Sequence, residues 1–335
     1  MHDAVCWRAR DHADILNRNV IRKLCVNDSQ YYVSPLRLVA MPADCEYLQP
    51  VLGAQIREGK VAFTHLARVK IRGLNARAYV KEYDRRSPAK TLSEVLGYTL
   101  ASHTNLPQPA MAALVSVPGR VLSQLSTGRP GIDGRAFEFD DQHVCFATIE
   151  VVGHEGGRVR SFAAAKGWCD DPQIDPSDLE RTLFEWAAKW PHFGRLQAFD
   201  AWIANPDRNL GNVLWVSDKH FVVIDHGEMF DGLRRVDGIN LAWPAIFDDP
   251  AAVHPHKLLD AMIRLRPEFP SATAAAVSQG CDALNDAYIR SRDELNFWLA
   301  GASNSVRLRA HHWLWKRLDD RNLHRAVNQM MGRLV

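Results

Sequence analysis

The feature that most constrains this chain is a short segment rich in Asp and Asn, which is followed by an apolar run that ends in an aspartate. Residues 205–212 read Asn-Pro-Asp-Arg-Asn-Leu-Gly-Asn, so Asp207 and Asn212 stand five positions apart. The apolar run, residues 221–224, leads directly into Asp225. One carboxylate can orient and deprotonate a hydroxyl, while an amide and a second carboxylate can hold Mg²⁺ against nucleotide phosphates. The spacing therefore indicates a site for phosphoryl transfer.

Each of these residues also has an ordinary structural explanation. An Asn-Pro-Asp sequence alone is typical of a turn or a helix cap. The combination of Asp207 with Asn212 and Asp225 favours a site over a simple turn. His226 follows Asp225, and it is better explained as a packing residue than as an acid or base. Gly227 would let the backbone turn sharply after the aspartate.

A lysine on an expected strand supplies a further part. Residues 78–83 read Ala-Tyr-Val-Lys-Glu-Tyr, so Lys81 shares one strand face with two tyrosines, while Glu82 points to the other face. An ammonium group that faces the interior needs a partner. A nucleotide phosphate is one such partner, and the carboxylate of Glu94 on the next expected helix is another. The alternative is an edge strand from which Lys81 reaches water.

The hydrophobic patterns predict the fold class α+β, with a β-rich N-lobe and a mostly helical C-lobe. The hairpin is expected to turn at residues 73–75, and the helix that follows it is expected to begin with a capping box formed by Thr91 and Glu94. Leu92, Val95, Leu96 and Leu100 are expected to form one apolar face of that helix. The expected domains are an N-terminal extension (1–45), an N-lobe (46–152) and a C-lobe (153–335). The expected elements are helices over 11–24, 91–102, 177–189, 194–204 and in the region after 255, and strands over 31–40, 67–83, 112–117, 144–152, 213–216 and 221–224.

Composition and charge exclude several classes of protein. A net charge of +2 gives no reason to expect a nucleic-acid or membrane partner. The six cysteines form no Cys-x-x-Cys pair, which favours reduced thiols in a cytoplasmic protein. The first residues do not resemble a signal peptide, and no apolar run approaches the roughly 18 residues of a spanning helix. Residues 305–333 carry seven Lys and Arg against two Asp. A solvated helix face explains them better than a surface for nucleic acid or an acidic partner.

The chain resembles the HipA-like kinases, which are bacterial serine/threonine kinases with a two-lobed fold related to protein and phosphoinositide kinases. The resemblance implies that Lys81 binds the phosphates of ATP, that Asp207 is the catalytic base, and that Asn212 and Asp225 hold Mg²⁺. It also implies a hinge at residues 149–151, where the backbone of Glu150 and Val151 would bind adenine. The segments that carry the resemblance are residues 78–83, Glu94 with Gly97, residues 105–109, residues 200–212 and residues 223–230.

The resemblance implies an ATP- and Mg²⁺-dependent kinase that phosphorylates a Ser or Thr hydroxyl of a protein, with Glu94 orienting Lys81. A toxin or regulatory role, with an antitoxin or another regulatory protein as partner, follows by family analogy. Two alternatives stay open. A lipid or small-molecule kinase would use the same catalytic parts, and a pseudokinase or adaptor would bind nucleotide without transferring phosphate. Residues 50–66 contain only two glycines, so they do not form a recognisable phosphate-covering loop, which argues mildly for the non-catalytic alternative. The complete set of Lys81, Asp207, Asn212 and Asp225 argues against it, since a scaffold does not need all four.

Overall fold

The fold is α+β, as the sequence predicts. The expected helix over 11–24 lies outside the described residues, and so does most of the strand expected over 31–40. The computed structural model describes residues 37–54, 57–58, 62–129, 134–151, 154–155, 175–217, 220–229, 235–236, 239–240, 257–265, 270–300 and 304–330.

A mixed sheet of seven strands forms the first part of the described chain. Six strands follow the order β1-β6-β7-β5-β4-β2, and β3 pairs with the same edge of β4 as β2 does. Only the pairing of β1 with β6 is parallel among the described strands of this sheet. The strands are β1 (Val39–Ala40), β2 (Cys45–Pro50), β3 (Arg57–Glu58), β4 (Ala62–Ile71), β5 (Leu74–Tyr83), β6 (Ala112–Pro118) and β7 (Gln142–Ile149).

The hairpin of β4 and β5 places Lys81 in the sheet. Its turn has two residues, Arg72 and Gly73, with φ of 50° and 83°. Two consecutive positive φ angles are typical of the type I′ turn, whose twist matches that of the strands. The turn is therefore tighter than the expected one, and residues 74 and 75 belong to β5. The register pairs Lys81 with Thr64 on β4 and with Phe146 on β7.

The helix after the hairpin, α1 (Pro88–His103), begins earlier than the sequence predicts. The expected capping box at Thr91 is wrong, because Thr91 lies inside the helix and Pro88 occupies its start. The fixed φ of proline suits the first helical position, and its missing N–H leaves no unsatisfied donor there. The predicted apolar face is confirmed, since Val95, Leu96 and Leu100 are buried and the partly buried Leu92 packs against the same core.

Most of the remaining described chain is helical, as expected for the region after 255. A short helix before residue 126, α2, was not expected. Two small sheets accompany the helices: β8 (His154–Glu155), β9 (Val213–Ser217) and β10 (His220–Val223) form one, and β11 (Arg235–Val236) and β12 (Ile239–Asn240) form the other. The helices are α2 (Gly119–Leu125), α3 (Pro176–Lys189), α4 (Phe193–Trp202), α5 (Lys257–Leu265), α6 (Pro270–Asp282), α7 (Leu284–Trp298), α8 (Asn304–Leu318) and α9 (Asn322–Met330).

Apolar side chains pack on both faces of the large sheet. On one face, Leu114 and Phe146 join a cluster that continues through α1 into the helices around Trp202 and Trp313. On the other face, Leu122 of α2 belongs to a second, smaller cluster. The charges of the C-terminal helices are not all at the surface, because Arg317 is fully buried and donates a hydrogen bond to the carbonyl of Ala201. In the described part of the chain, no helix combines the length and the apolar character that a membrane span requires.

Helices α4 and α6 approach each other closely at Gly194. A Cβ atom at Gly194 would lie 2.5 Å from the carbonyl carbon of Ala276. In an open helix, replacing Gly with Ala stabilises a protein by about 0.4–1 kcal/mol. Here we expect the opposite, a loss of about 1–3 kcal/mol for Gly194→Ala, because the backbone of α6 has to move. Urea unfolding would measure the change. Gln279→Ala, at an exposed position of α6, is the control, and a stabilised Gly194→Ala would contradict the close approach.

Candidate active site

Lys81 is the centre of the candidate site. Its Nζ lies 2.6 Å from Oε1 of Glu94 and 2.6 Å from Oδ1 of Asp225. Glu94 has two further partners, because the Tyr83 hydroxyl donates to its Oε1 (2.9 Å) and the His226 backbone N–H donates to its Oε2 (2.8 Å). The structure thus brings together three residues that the sequence singled out, from β5, from α1 and from the segment after β10.

The segment that carries Asp225 packs tightly against α1 and β5. Asp225 has a φ of 65°, a left-handed conformation that Asp adopts more readily than most residues. A Cβ atom at Gly97 of α1 would lie 2.2 Å from Cβ of His226. A Cβ atom at Gly227 would lie 2.2 Å from the hydroxyl oxygen of Tyr83. Both glycines are therefore required by the close approach of this segment, and the approach holds the Asp225 carboxylate beside Lys81.

The three ionisable groups shift each other's protonation. Burial alone would lower the pKa of Lys81, but Asp225 and Glu94 outweigh it and raise that pKa well above its usual range. Burial would likewise raise the pKa of Asp225, but the Lys81 ammonium lowers it to about 2. The pKa of Glu94 is raised, since its burial outweighs the attraction of Lys81. At neutral pH the site therefore holds a charged lysine beside the Asp225 carboxylate.

Asp207 and Asn212 lie on a loop that is fixed by hydrogen bonds within itself. Helix α4 ends at Trp202, just before this loop. The N–H of Asp207 donates to Oδ1 of Asn205 (3.2 Å), and Nδ2 of Asn212 donates to the carbonyl of Asp207 (3.1 Å). Because the amide nitrogen of Asn212 is used in this way, its oxygen is the atom that could bind a cation. The Asp207 carboxylate is about one-third exposed and forms an ion pair with Lys257 of α5.

Arg208 joins this loop to the Asp225 segment. The side chain is fully buried, and its Nε lies 3.0 Å from Oδ2 of Asp200 in α4. Its NH1 donates to the carbonyls of Ile224 and Asp225, the latter at 3.2 Å. Its NH2 lies 3.1 Å from Nδ1 of His226. The guanidinium group of Arg208 therefore fixes the position of the Asp225 backbone relative to the Asp207 loop.

The imidazole ring of His226 is buried, and it is neutral in this environment. Burial, together with the positive charge of Arg208, lowers its pKa well below the usual range. Its ring packs edge-on against Phe199 at a centroid distance of 5.8 Å. These contacts agree with the packing role expected from the sequence. Glu82 also behaves as expected, because it points to the opposite face of the sheet and is fully buried there beside His65.

The expected hinge residues stand apart from the Lys81 cluster. The N–H of Glu150 donates to the carbonyl of Arg77 (2.8 Å), and its carboxylate pairs with the same residue (2.9 Å). Ile149 pairs with Ala78, three residues before Lys81 along β5. At about 3.3 Å per residue, this is roughly 10 Å from Lys81. The Glu150 carbonyl and the backbone of Val151, which are expected to bind adenine, follow Ile149 in the chain.

The candidate site offers a divalent cation one carboxylate, that of Asp225, and one carboxamide, that of Asn212. Within the described ranges, no group of three or more His, Cys, Asp or Glu side chains could hold a metal by itself. Mg²⁺ is usually bound through one or two protein oxygens together with water and substrate phosphates. The carboxylate of Asp225 and the amide oxygen of Asn212 match this donor set, so these residues fit Mg²⁺ when it arrives with a nucleotide.

Three side chains, Tyr83, Arg208 and Lys257, take part in this geometry although no sequence pattern assigned them a role. Tyr83 was recognisable only by its position two residues after Lys81, on the same strand face. Arg208 lies inside the motif, but nothing local shows that its guanidinium group turns inward. Lys257 stands 50 residues beyond Asp207, and no sequence signal connects the two.

Replacing Arg208 tests the connection that it makes. Arg208→Met should lower the free energy of unfolding by about 3–5 kcal/mol, because it leaves the buried Asp200 carboxylate without its charged partner. Asp200→Leu in the same chain should recover part of this loss, since both charges are then absent. Denaturant unfolding of the two single variants and the double variant would give the coupling energy. Additive losses would show that the two side chains do not stabilise each other.

The lowered pKa of Asp225 makes stability depend on pH in acid. A carboxylate whose folded pKa lies below its unfolded value contributes stability above the unfolded pKa and loses it as pH falls through the folded pKa. For Asp225 the window runs from about pH 4 to about pH 2, and the contribution is about 1–2 kcal/mol. Between pH 5 and pH 2.5, Asp225→Asn and Lys81→Met should both lose less stability than the wild type in urea unfolding. Equal losses in all three proteins would contradict the pairing.

No protein-family model matches the sequence, and a search of curated proteins finds no match either.

Proposed function

We propose that this protein is an ATP- and Mg²⁺-dependent kinase of the HipA-like kind, which transfers the γ-phosphate to a Ser or Thr hydroxyl of a protein. The contact of Lys81 with both Glu94 and Asp225 carries this proposal. A structural ion pair needs only one carboxylate, whereas a kinase needs a lysine held by a helix glutamate next to a metal-binding aspartate. Asn212 and Asp207, on the loop that Arg208 fixes, complete the set.

Each step of the proposed reaction has a residue of this chain to carry it, with Mg²⁺ held by Asn212 and Asp225. Asp207 accepts a hydrogen bond from the acceptor hydroxyl and takes its proton as the hydroxyl oxygen bonds to the γ-phosphorus. The bond between that phosphorus and the β–γ bridging oxygen breaks, and its electron pair stays on ADP. Lys81 balances the charge of the non-transferred phosphates. Mg²⁺, when bound to Asn212 and Asp225, would neutralise the negative charge that develops on the phosphate oxygens.

In this proposal the nucleotide lies across the sheet. Its phosphates would lie at Lys81, and adenine would reach the end of β7, at the Glu150 carbonyl and the Val151 backbone. The β3–β4 hairpin runs beside Lys81, because Arg57 pairs with Thr64 and Thr64 pairs with Lys81. In this proposal the sheet and α1 form the N-lobe of a two-lobed kinase, and α3 to α9 form the C-lobe.

The class of substrate is the least constrained part of the proposal. A protein hydroxyl is preferred because the resemblance to HipA-like kinases implies it, and a toxin or regulatory role with a partner antitoxin belongs to the same proposal. A lipid or small-molecule kinase would use Asp207 and Asp225 in the same way. A pseudokinase would keep the nucleotide site without transferring phosphate. These alternatives predict different outcomes of a single experiment.

That experiment follows labelled γ-phosphate from Mg·ATP into protein, with the pure chain and with a cell lysate. We expect labelled bands with the wild type and none with Asp225→Ala, which lacks a metal ligand. Asp207→Asn should lower transfer by about 10²–10⁴-fold and keep nucleotide binding, because it removes only the base. Asp178→Asn, on the exposed face of α3, is the matched control and should label like the wild type.

Other outcomes would replace the proposal. ATP binding without any labelled protein, together with consumption of ATP in a small-molecule extract, would indicate a small-molecule or lipid kinase. ATP binding without any transfer would indicate a pseudokinase. Labelling that persists in both Asp207→Asn and Asp225→Ala would show that these residues do not form the catalytic site.

A further inference from the structure

The ammonium group of Lys257 contacts the carboxylate that would act as the base. Nζ of Lys257 pairs with Oδ1 of Asp207. The contact does not depend on a freely moving side chain alone, because the backbone of α5 is bound to the same loop. The N–H of Lys257 donates to the carbonyl of Pro206 (3.2 Å), and the N–H of Leu258 donates to the carbonyl of Arg208 (2.7 Å). The first turn of α5 is thus fixed on the Asp207 loop.

Helix α5 is anchored in the core, whereas the side chain of Lys257 at its start is largely exposed. Leu258 and Leu259 are buried and hold α5 in the core, whereas about 61% of the Lys257 side chain is exposed. A fixed backbone with an exposed ammonium group lets Nζ move a short distance without unfolding the helix. Lys257 can therefore exchange the Asp207 carboxylate for another anion that arrives beside it.

Within the described residues, two other cations of the candidate site, Lys81 and Arg208, already have partners other than Asp207. Lys81 is shared between Glu94 and Asp225. Arg208 is fully buried and directs its donors to Asp200, to backbone carbonyls and to His226. Neither side chain is positioned to neutralise charge on the side of Asp207 that faces solvent, whereas Lys257 lies on that side.

Phosphoryl transfer creates a need for such a cation. The γ-phosphoryl group carries negative charge on three oxygens, and it has to approach a hydroxyl that is bound to the Asp207 carboxylate. Two anions close together repel each other unless a positive group lies between or beside them. A cation that already touches the base occupies the place where the phosphoryl oxygens arrive.

We propose that Lys257 is a catalytic residue that binds the γ-phosphoryl group of ATP during transfer. This inference rests on the proposed kinase function. Lys257 stays protonated throughout: as the acceptor oxygen bonds to the γ-phosphorus and the bond to the bridging oxygen of ADP breaks, its ammonium group moves from Asp207 to a phosphoryl oxygen. Asp207 then takes the hydroxyl proton. The lysine thus comes from a helix outside the Asp207–Asn212 loop.

Nucleotide binding tests the contact without requiring transfer. Calorimetry with Mg·ATP and Mg·ADP would compare the wild type with Lys257→Met. We expect the variant to bind Mg·ATP about tenfold more weakly and Mg·ADP unchanged, because only ATP has the γ-phosphate and a charge-assisted hydrogen bond is lost. Lys257→Arg should keep most of the preference for ATP. Lys189→Met, at an exposed position at the end of α3, is the control for removal of a surface charge.

Transfer rates supply the second readout. With any acceptor that the wild type labels, Lys257→Met should lower kcat by about 10²–10³-fold, as expected for the loss of one group that stabilises transition-state charge. A rate that rises in Lys257→Met would overturn the inference, since the ion pair would then restrain the base. An unchanged ratio of ATP to ADP affinity would also overturn it.

The failures of the two proposals can be told apart. A wild type that labels protein, with a Lys257→Met variant that matches it in rate and in nucleotide preference, would overturn the role of Lys257 alone. A wild type that binds ATP without transferring phosphate would overturn the kinase function, while the affinity ratio would still show whether Lys257 touches the γ-phosphate. A wild type that binds no ATP would overturn both.

Discussion

A positive charge held between two carboxylates is the interaction on which the rest of the site depends. Lys81 is largely buried, and an ammonium group in such a place is tolerated only with charged partners. Glu94 and Asp225 supply them from two different elements. The helix α1, the strand β5 and the segment after β10 are therefore held at one point by charge, and the hydrogen bonds of Tyr83 and His226 to Glu94 fix the geometry further.

A second buried cation, Arg208, holds segments of the backbone together. Arg208 directs its donors to a buried carboxylate, to carbonyl oxygens and to a ring nitrogen, so its guanidinium group joins α4, the Asp207 loop and the segment after β10. The planar fork of arginine suits several acceptors at once, which the single ammonium group of a lysine does not. Lys81 and Arg208 therefore differ in their surroundings: the Lys81 ammonium group stays partly exposed between two carboxylates, whereas the Arg208 guanidinium group is fully buried.

The sequence predicts the fold class, the hairpin, the apolar face of α1 and the Lys81–Glu94 pair, because these follow from local periodicity. It fails where a distant or competing feature decides. The start of α1 is set by Pro88 rather than by the polar pair at Thr91 and Glu94. The inward turn of Arg208 depends on Asp200 being buried in α4, which no local pattern reveals. Lys257 reaches Asp207 only because α5 packs where it does, so its role requires the tertiary structure.

The separation of these residues along the chain has a consequence for biosynthesis. Glu94 and the backbone N–H that it binds at His226 lie 132 positions apart, and Lys257 lies 50 positions after the carboxylate that it contacts. Contacts of such long range require the closure of a long loop of chain, which costs conformational entropy before the contact is made. A nascent chain that has left the ribosome only as far as the sheet has Lys81 and Glu94 but no Asp225, no Asp207 and no α5. The cluster of Lys81, Glu94 and Asp225 therefore becomes complete only when the helical half of the chain has been made and packed.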